Sequence, residues 1–512
     1  MPSAVEPAAG TAGTLAHPAP PAASSSPPPS RPGLGGVAAR GAGITLAGQG
    51  ARILLQFASV VVLARLLSPR DYGLMAVGLV IVGMGEVVRD LGLSTAAIRA
   101  PELTSRQRDG LFWVSTAAGL VLAAVVAAGA GLVAELFAQP ELVPVSRALA
   151  LTFVLNGLAA QYRAGLSRDL RFGAVAGADT LAQLLALAVA VGTAVAGAGY
   201  WALVFQQLTV GTVSLICVVA LARWLPGRPR RGAGLGPFLR FGGGLTGTQI
   251  VYYVGNNVDT MVLGLWAGPT ALGVYSRGFQ LLMTPLNQLR TPATTVAVPV
   301  LSRLQSDPDR FGEYLRRAQL TLGIPIVMAM ALIAGAAGPI VDIVLGERWG
   351  DVAPVLALLA VAGGAQTLSF VGFWVYLSRG LSSALLRYTL VTLGLKAVCI
   401  AVGARFGVVG VATGYAAAAL LEWPLSLWWL SRLTVIPVRA LLLGALRITG
   451  CAVGVGASSF IVTHLTATWP SAGQLAAGLS AGVAAYCLAT LVPAVRADVA
   501  GVLSWGRQMI GR

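Results

Sequence analysis

The stretches VLARLLSPRDYG (Val62–Gly73) and VLGLWAGPTALG (Val262–Gly273) are one passage written twice, at an offset of 200 residues. Extended at the same offset, Gly43–Gly78 and Gly243–Gly278 keep Gly43, Gln49, Val62, Leu63, Pro69, Gly73 and Gly78 in both copies. In each, an apolar helix ends, a proline turns the chain and a glycine opens the next apolar run. The polar positions correspond as well. Gln49, Arg52, Gln56 and Ser59 stand opposite Gln249, Tyr252, Asn256 and Asp259, both sets spaced i, i+3, i+7, i+10. That spacing is one helix face, so each copy opens with an apolar helix bearing a polar stripe. Duplicated halves of this kind are how many membrane transporters are built.

Composition agrees. Of 512 residues, 56% are hydrophobic and only 11% charged, with a mean hydropathy of +0.78. Soluble domains carry about 25% charged residues, so this is an integral membrane protein. The net charge of +16 comes almost wholly from arginine, Lys396 being the only lysine. These arginines lie between apolar runs, where cytoplasmic loops hold them, rather than in a patch for nucleic acid. Cys217, Cys399, Cys451 and Cys487 each sit inside an apolar run, without disulfide or metal spacing. No P-loop lysine, HExxH motif or acidic metal cluster occurs, and the two histidines are isolated. The sequence therefore indicates no catalytic residue, metal or cofactor, and excludes ATP-driven transport by this chain alone.

Residues 1–40 read as a disordered cytoplasmic tail rich in Pro, Ala and Ser, lacking the basic start and apolar core of a signal peptide. Apolar runs then predict an all-α membrane protein with about 14 transmembrane helices: two pseudo-symmetric six-helix lobes and a C-terminal helix pair. The lobes span 41–223 and 240–432, joined by a basic cytoplasmic linker at 224–239. The pair covers 433–495 and a cytoplasmic tail 496–512. With both termini cytoplasmic, 24 loop and tail arginines, Arg163 among them, fall inside, against Arg65, Arg70, Arg147, Arg348 and Arg405 outside. That asymmetry obeys the positive-inside rule. Six spans separate the repeat starts, so the halves share one orientation, and the face between them is the expected place for a substrate.

Charges within the spans need partners, an outlet to the interface, or water. Arg89, Asp90, Arg290 and Arg447 lie near span ends and are expected to snorkel. Arg52 sits roughly 13 Å above the inner boundary. It either pairs with Glu86 or stands free to bind ligand. Asp259 and Arg277 reach a common height, about 10 Å from the outer boundary. They form a buried pair or together line a water-filled cavity. Arg277 also shares a face with Gln280, Thr284 and Asn287. Lys396 and Glu422 make either a pair or a coupling site. Asn156, Gln206, Gln207 and Gln366 read as interhelical hydrogen-bonding groups.

VVLARLLSPRDYGLMAVGLVIVGMGEVVRDLGLSTAAIR (Val61–Arg99), AQYRAGLSRDLRF (Ala160–Phe172), GYWALVFQQL (Gly199–Leu208) and NNVDTMVLGLWAGPTALGVYSRGFQL (Asn256–Leu281) resemble the Wzx-type polysaccharide and lipopolysaccharide flippases, particularly the WzxC-like branch. The resemblance covers most of the chain after residue 40. It implies the multidrug, oligosaccharidyl-lipid and polysaccharide exporter fold in a bacterial inner membrane, worked by alternating access. The implied cargo is a polyprenyl-diphosphate-linked oligosaccharide, moved from the inner to the outer leaflet. Polysaccharide synthesis and polymerase proteins are the implied partners. A diphosphate needs cations, and arginine offers a bidentate fork, so Arg52 and Arg277 are candidates. Gln49, Gln56, Tyr252, Asn256, Asn257, Gln280 and Trp374 are candidates for the sugars. Glu86, Asp259, Lys396 and Glu422 are candidates for a coupling proton or sodium ion.

Two alternatives belong to the same superfamily: an ion-coupled multidrug exporter, which favours acidic and aromatic cavities, and a peptidoglycan lipid-precursor flippase. A membrane-embedded polysaccharide polymerase is the alternative of another class. It needs catalytic carboxylates or histidine on a sizeable outer loop, and the predicted outer loops are short.

Overall fold

The computed structural model describes residue 50 and residues 53–90, 92–94, 97, 104–229 and 236–510. The N-terminal tail, Gln49 and Arg52 lie outside the described residues. The first half holds α1 (Ile53–Leu66), α2 (Pro69–Asp90), α3 (Ser105–Leu136), α4 (Leu142–Arg168), α5 (Phe172–Val195) and α6 (Trp201–Ala222). The second holds α7 (Gly236–Trp266), α8 (Gly268–Arg303), α9 (Pro308–Gly335), α10 (Ala337–Val344), α11 (Val352–Ser378), α12 (Ser382–Ala404) and α13 (Gly407–Leu433). After these come α14 (Val438–Leu465), α15 (Ser471–Ala489) and α16 (Pro493–Ile510). There is no strand among the described residues. Among the described residues, eleven helices are long and apolar enough to cross a membrane. Of the remaining long helices, α7 and α8 run to 31 and 36 residues but carry the polar stripes read from the sequence.

Local chemistry sets the turns. In Ser68-Pro-Arg-Asp71, Ser68 and Asp71 cap each other: the Ser68 amide donates to Asp71 Oδ2 at 2.9 Å and the Asp71 amide to Ser68 Oγ at 3.3 Å. Pro69 fills the first helical position, where no amide hydrogen is needed. The corresponding turn of the second half uses Gly268 at φ +79 before Pro269. Thr104 and Gln107 form the same reciprocal cap on α3. Pro285, Pro292 and Pro299 interrupt α8, each removing one backbone hydrogen bond.

Packing repeats along with the sequence. In the first half α3 packs on α4, α5 on α6, and α4 on both α6 and α2. In the second, α9 packs on α11, α12 on α13, and α11 on both α13 and α8. Across the halves α2 meets α8 and α7. One apolar core runs through both, joining Leu63, Leu67 and Leu74 to Leu272, Tyr275 and Trp349. α14 lies on α9, with α15 on α14.

Two expected snorkelling arginines near span ends are instead tied to other helices, and one is bonded within its own. Arg290 is buried and donates to Gly363 O (3.2 Å), Thr367 Oγ1 (3.1 Å) and Gln366 Oε1 (3.4 Å) of α11. Arg447 pairs with Asp498 of α16 at 2.7 Å. Arg89 pairs with Glu86 at 2.8 Å along α2. Each is bonded to a neighbouring group, so a partner replaces extension to water.

Candidate central cavity

The turn ends of the two halves are bolted together. A Cβ built on Gly73 would lie 1.7 Å from Pro269 O, and one on Gly273 would lie 1.7 Å from Pro69 O. Only glycine allows α2 and α8 to approach so closely. Beside this contact the Trp349 indole donates to Ala64 O at 2.8 Å and its ring meets Tyr72 edge-on, 5.5 Å between centroids. Arg65 donates to Ile343 O at 2.8 Å.

Beside this contact, α1, α2, α4, α5 and α6 of the first half and α8 of the second line an open cavity of about 490 Å³. Its polar wall comes from Gln56 and Ser59 of α1, Tyr72 of α2, Arg163 of α4, and Asp179 and Gln183 of α5. Gln206 and Gln207 of α6 and Arg277 and Gln280 of α8 complete it. Leu63, Met75, Leu79 and Leu203 supply apolar surface. Gln206 Nε2 donates to Ser59 Oγ at 2.8 Å, fixing α6 against α1. The Arg277 guanidinium lies over the Tyr72 ring, 3.8 Å from its centroid. Stacking on an aromatic face holds the cation while leaving its N–H edge available. The Tyr72 hydroxyl, Arg277 Nε and Gln280 Oε1 are covered and have no hydrogen-bond partner among the described residues. Covered polar atoms are usually bonded, so these three, closed off from the cavity space, are exceptions on residues that line it.

Gln56, Arg277 and Gln280 thus line one cavity, while the other described candidates sit elsewhere. Asp259 does not share the cavity with Arg277 and is not paired with it. Only 1% exposed, it accepts from the Tyr275 hydroxyl at 2.6 Å and from the Thr260 amide at 3.0 Å. The sequence placed both at one height but could not show which way each faces. Trp374 is 2% exposed and donates to Thr294 Oγ1 at 3.1 Å, so its ring packs in the core and offers no face to a sugar. Tyr252 and Asn256 are exposed on α7 outside this cavity, and Asn257 donates to Tyr253 O at 2.8 Å.

Glu86 is held by Arg89 and by Asn156 Nδ2 at 2.9 Å. Lys396 and Glu422 form no direct ion pair: Lys396 Nζ donates to Gly255 O at 3.3 Å and stands 4.5 Å from the centre of the Tyr415 ring. Gln366 Nε2 donates to the Tyr415 hydroxyl at 3.1 Å, so with Gln206 and Asn156 it serves as the expected interhelical bond.

Sequence reasoning missed Arg163, which it assigned to a cytoplasmic loop, and Asp179, which it did not single out. Arg163 lies within α4 and its guanidinium forks onto Asp179, Nη2 to Oδ1 at 2.5 Å and Nη1 to Oδ2 at 3.4 Å, with Nη2 also donating to Ser214 Oγ. A signal existed. The two residues lie almost equally far from the middle of the Asp169-Leu170-Arg171 turn, the register of a facing pair in a helical hairpin.

Residues 62–354, more than half of the chain, match the family model described as polysaccharide biosynthesis protein. Over 315 residues the chain is 27% identical to the lipopolysaccharide biosynthesis protein WzxC of Escherichia coli (strain K12), covering 60% of this chain and 63% of that one. It is 25% identical over 303 residues to the teichuronic acid biosynthesis protein TuaB of Bacillus subtilis (strain 168), covering 58% and 62%. It is also 25% identical over 313 residues to the succinoglycan biosynthesis transport protein ExoT of Rhizobium meliloti (strain 1021), covering 61% and 63%. The chain therefore matches less than two thirds of the length of these relatives.

Among solved structures, the lipid II flippase MurJ in an inward closed conformation superposes with a TM-score of 0.66 at 14% identity, over 87% of this chain and 97% of that one. An inward-facing multidrug resistance transporter of the MATE family gives 0.56 at 15%, over 76% and 95%. At such identities the likeness is one of fold. Carried by the match to its family model, the chain belongs to the polysaccharide biosynthesis protein family.

Proposed function

We propose that the chain is a flippase that moves a polyprenyl-diphosphate-linked oligosaccharide from the inner to the outer leaflet of a bacterial inner membrane by alternating access. The observation that carries this reading is the cavity, whose wall combines two guanidinium groups and five glutamines. A diphosphate crossing the bilayer core must exchange water for fixed cations, and arginine's planar fork suits phosphate oxygens. Amide side chains donate to and accept from sugar hydroxyls at once. The volume, about 490 Å³, is of the size that takes a head group with its first sugars rather than a polymer.

In this reading α1 to α9 and α11 to α15 make fourteen spans. α1–α6 form one six-helix lobe, α7–α9 with α11–α13 the other, and α14–α15 the final pair. The repeated packing order supports it. The arginine distribution supports cytoplasmic termini, and with that orientation the Pro69 and Pro269 turns lie at the outer face. The glycine contact there closes the outer side, and its parting opens the cavity outward. For coupling to a proton or sodium ion, Glu422 is the acid we favour: it is half-buried and makes no ion pair among the described residues, whereas Asp259 and Glu86 already accept from neighbours. Synthesis and polymerase proteins are the partners this role requires.

The test is a deletion strain in which lipid-linked oligosaccharide is assayed in the inner leaflet. Wild type clears the precursor and Arg277→Ala does not. Normal export in the deletion strain, with no second flippase present, would remove the cargo assignment.

A further inference from the structure

Arg277 and Arg163 are the two cations of the cavity wall, and they are held differently. Arg277 rests on an aromatic ring, with no carboxylate attached among the described residues. Arg163 is occupied by Asp179, the acid of the same wall. Both side chains of that pair are partly open, at 36% and 23% exposure, and both residues line the cavity.

The pair spans a cleft rather than a packed seam. α4 and α5 touch each other sparsely: α4 packs mainly on α3 and next on α6, and α5 packs mainly on α6. Ser214 of α6, itself buried, accepts from Arg163 as well. Were Asp179 to let go, Ser214 would still hold the guanidinium, and neither helix would lose its main support. An ion pair so exposed is weakly favoured over its separated groups. A diphosphate carries more charge than a carboxylate and offers oxygens that fit the same planar fork. One edge of a guanidinium takes one such partner at a time, so binding there is exchange.

We propose that Arg163 and Asp179 form an exchangeable clasp. A diphosphate group entering the cavity displaces the Asp179 carboxylate and takes Arg163 as a second anion site beside Arg277. Asp179 keeps the site closed to weaker anions until then. The proposal rests on the reading that the cavity takes an anionic head group, and it adds that the acid is a competitor for that group rather than a brace.

The experiment is calorimetric titration of the full chain in lipid nanodiscs with inorganic pyrophosphate and, separately, with farnesyl diphosphate. Asp179→Asn is expected to tighten both by about tenfold, the scale of losing one charge-assisted competitor. Arg163→Gln weakens both, and the double variant behaves as Arg163→Gln alone, because removing the acid gains nothing once the cation is gone. Thermal unfolding checks each variant, with Asp179→Ser as the second form if Asp179→Asn does not fold. If Asp179→Asn leaves affinity unchanged or lowers it while Arg277→Gln still weakens binding, the pair is a brace: the clasp is overturned and the cavity reading stands. If neither probe binds any form, the cavity reading falls and the clasp with it. Tighter binding of farnesyl diphosphate than of pyrophosphate assigns the site to a lipid head group, and equal binding assigns it to the free anion, both with the clasp retained.

Discussion

Gly73 and Gly273, residues 200 apart in the chain and equivalent in its internal repeat, each abut the carbonyl of the other half's proline, so that a Cβ on either would sit 1.7 Å from it. The repeat is therefore more than a trace of duplication. Its repeated residues are the ones that touch, and they bring α2 and α8 together at the end where Trp349 and Tyr72 also meet.

Gly73→Ala or Gly273→Ala forces the two helices apart, because a methyl group cannot share space with a backbone carbonyl. The expected outcome is a destabilised closed form, by about 1–3 kcal/mol as for an overpacked contact. Spin labels on the two proline turns should report a longer distance than in wild type, with export reduced. An unchanged distance would show that the contact does not set the closed form.

Trp349→Phe keeps the ring near Tyr72 but removes the indole bond to Ala64 O. A cost of about 1 kcal/mol to the closed form follows from one lost buried hydrogen bond. Reactivity of a cysteine placed at Leu63, which lines the cavity, towards a membrane-impermeant thiol reagent from outside should rise.

Arg277→Lys separates charge from geometry. Lysine keeps the charge but has neither the planar fork nor guanidinium stacking on Tyr72. Export should fall several-fold with Lys and be lost with Gln. Equal export by all three would mean that the cavity does not use this cation.

Arg447→Ala leaves Asp498, which is 8% exposed, without its partner. The loss of thermal stability in detergent should correspond to about 1–3 kcal/mol, less than a fully buried pair because Arg447 is partly open. Adding Asp498→Asn to the variant should recover most of it.

The fold class was legible because a membrane helix announces itself in composition, and the turns because Ser68, Pro69, Asp71 and Gly268 carry their own chemistry. The site was legible only in part. Gln56, Arg277 and Gln280 lie on polar stripes, which the sequence displays. Asp259 and Trp374 have the same polar or aromatic character but face Tyr275 and Thr294, and a stripe does not reveal which helix it meets. Arg163 escaped because a loop boundary drawn from charge counts puts every arginine near a turn outside the membrane. Its partner Asp179 shows that this one turns inward.

The most direct measurement is flipping by the purified chain in proteoliposomes, using a polyprenyl-diphosphate-linked oligosaccharide and a lectin or glycosidase to count sugars reaching the outer leaflet. Wild type should move it, and Arg277→Gln, shown folded by its thermal transition, should not. Transport at the same rate by both, or none by wild type in liposomes of either polarity of ion gradient, would contradict the account.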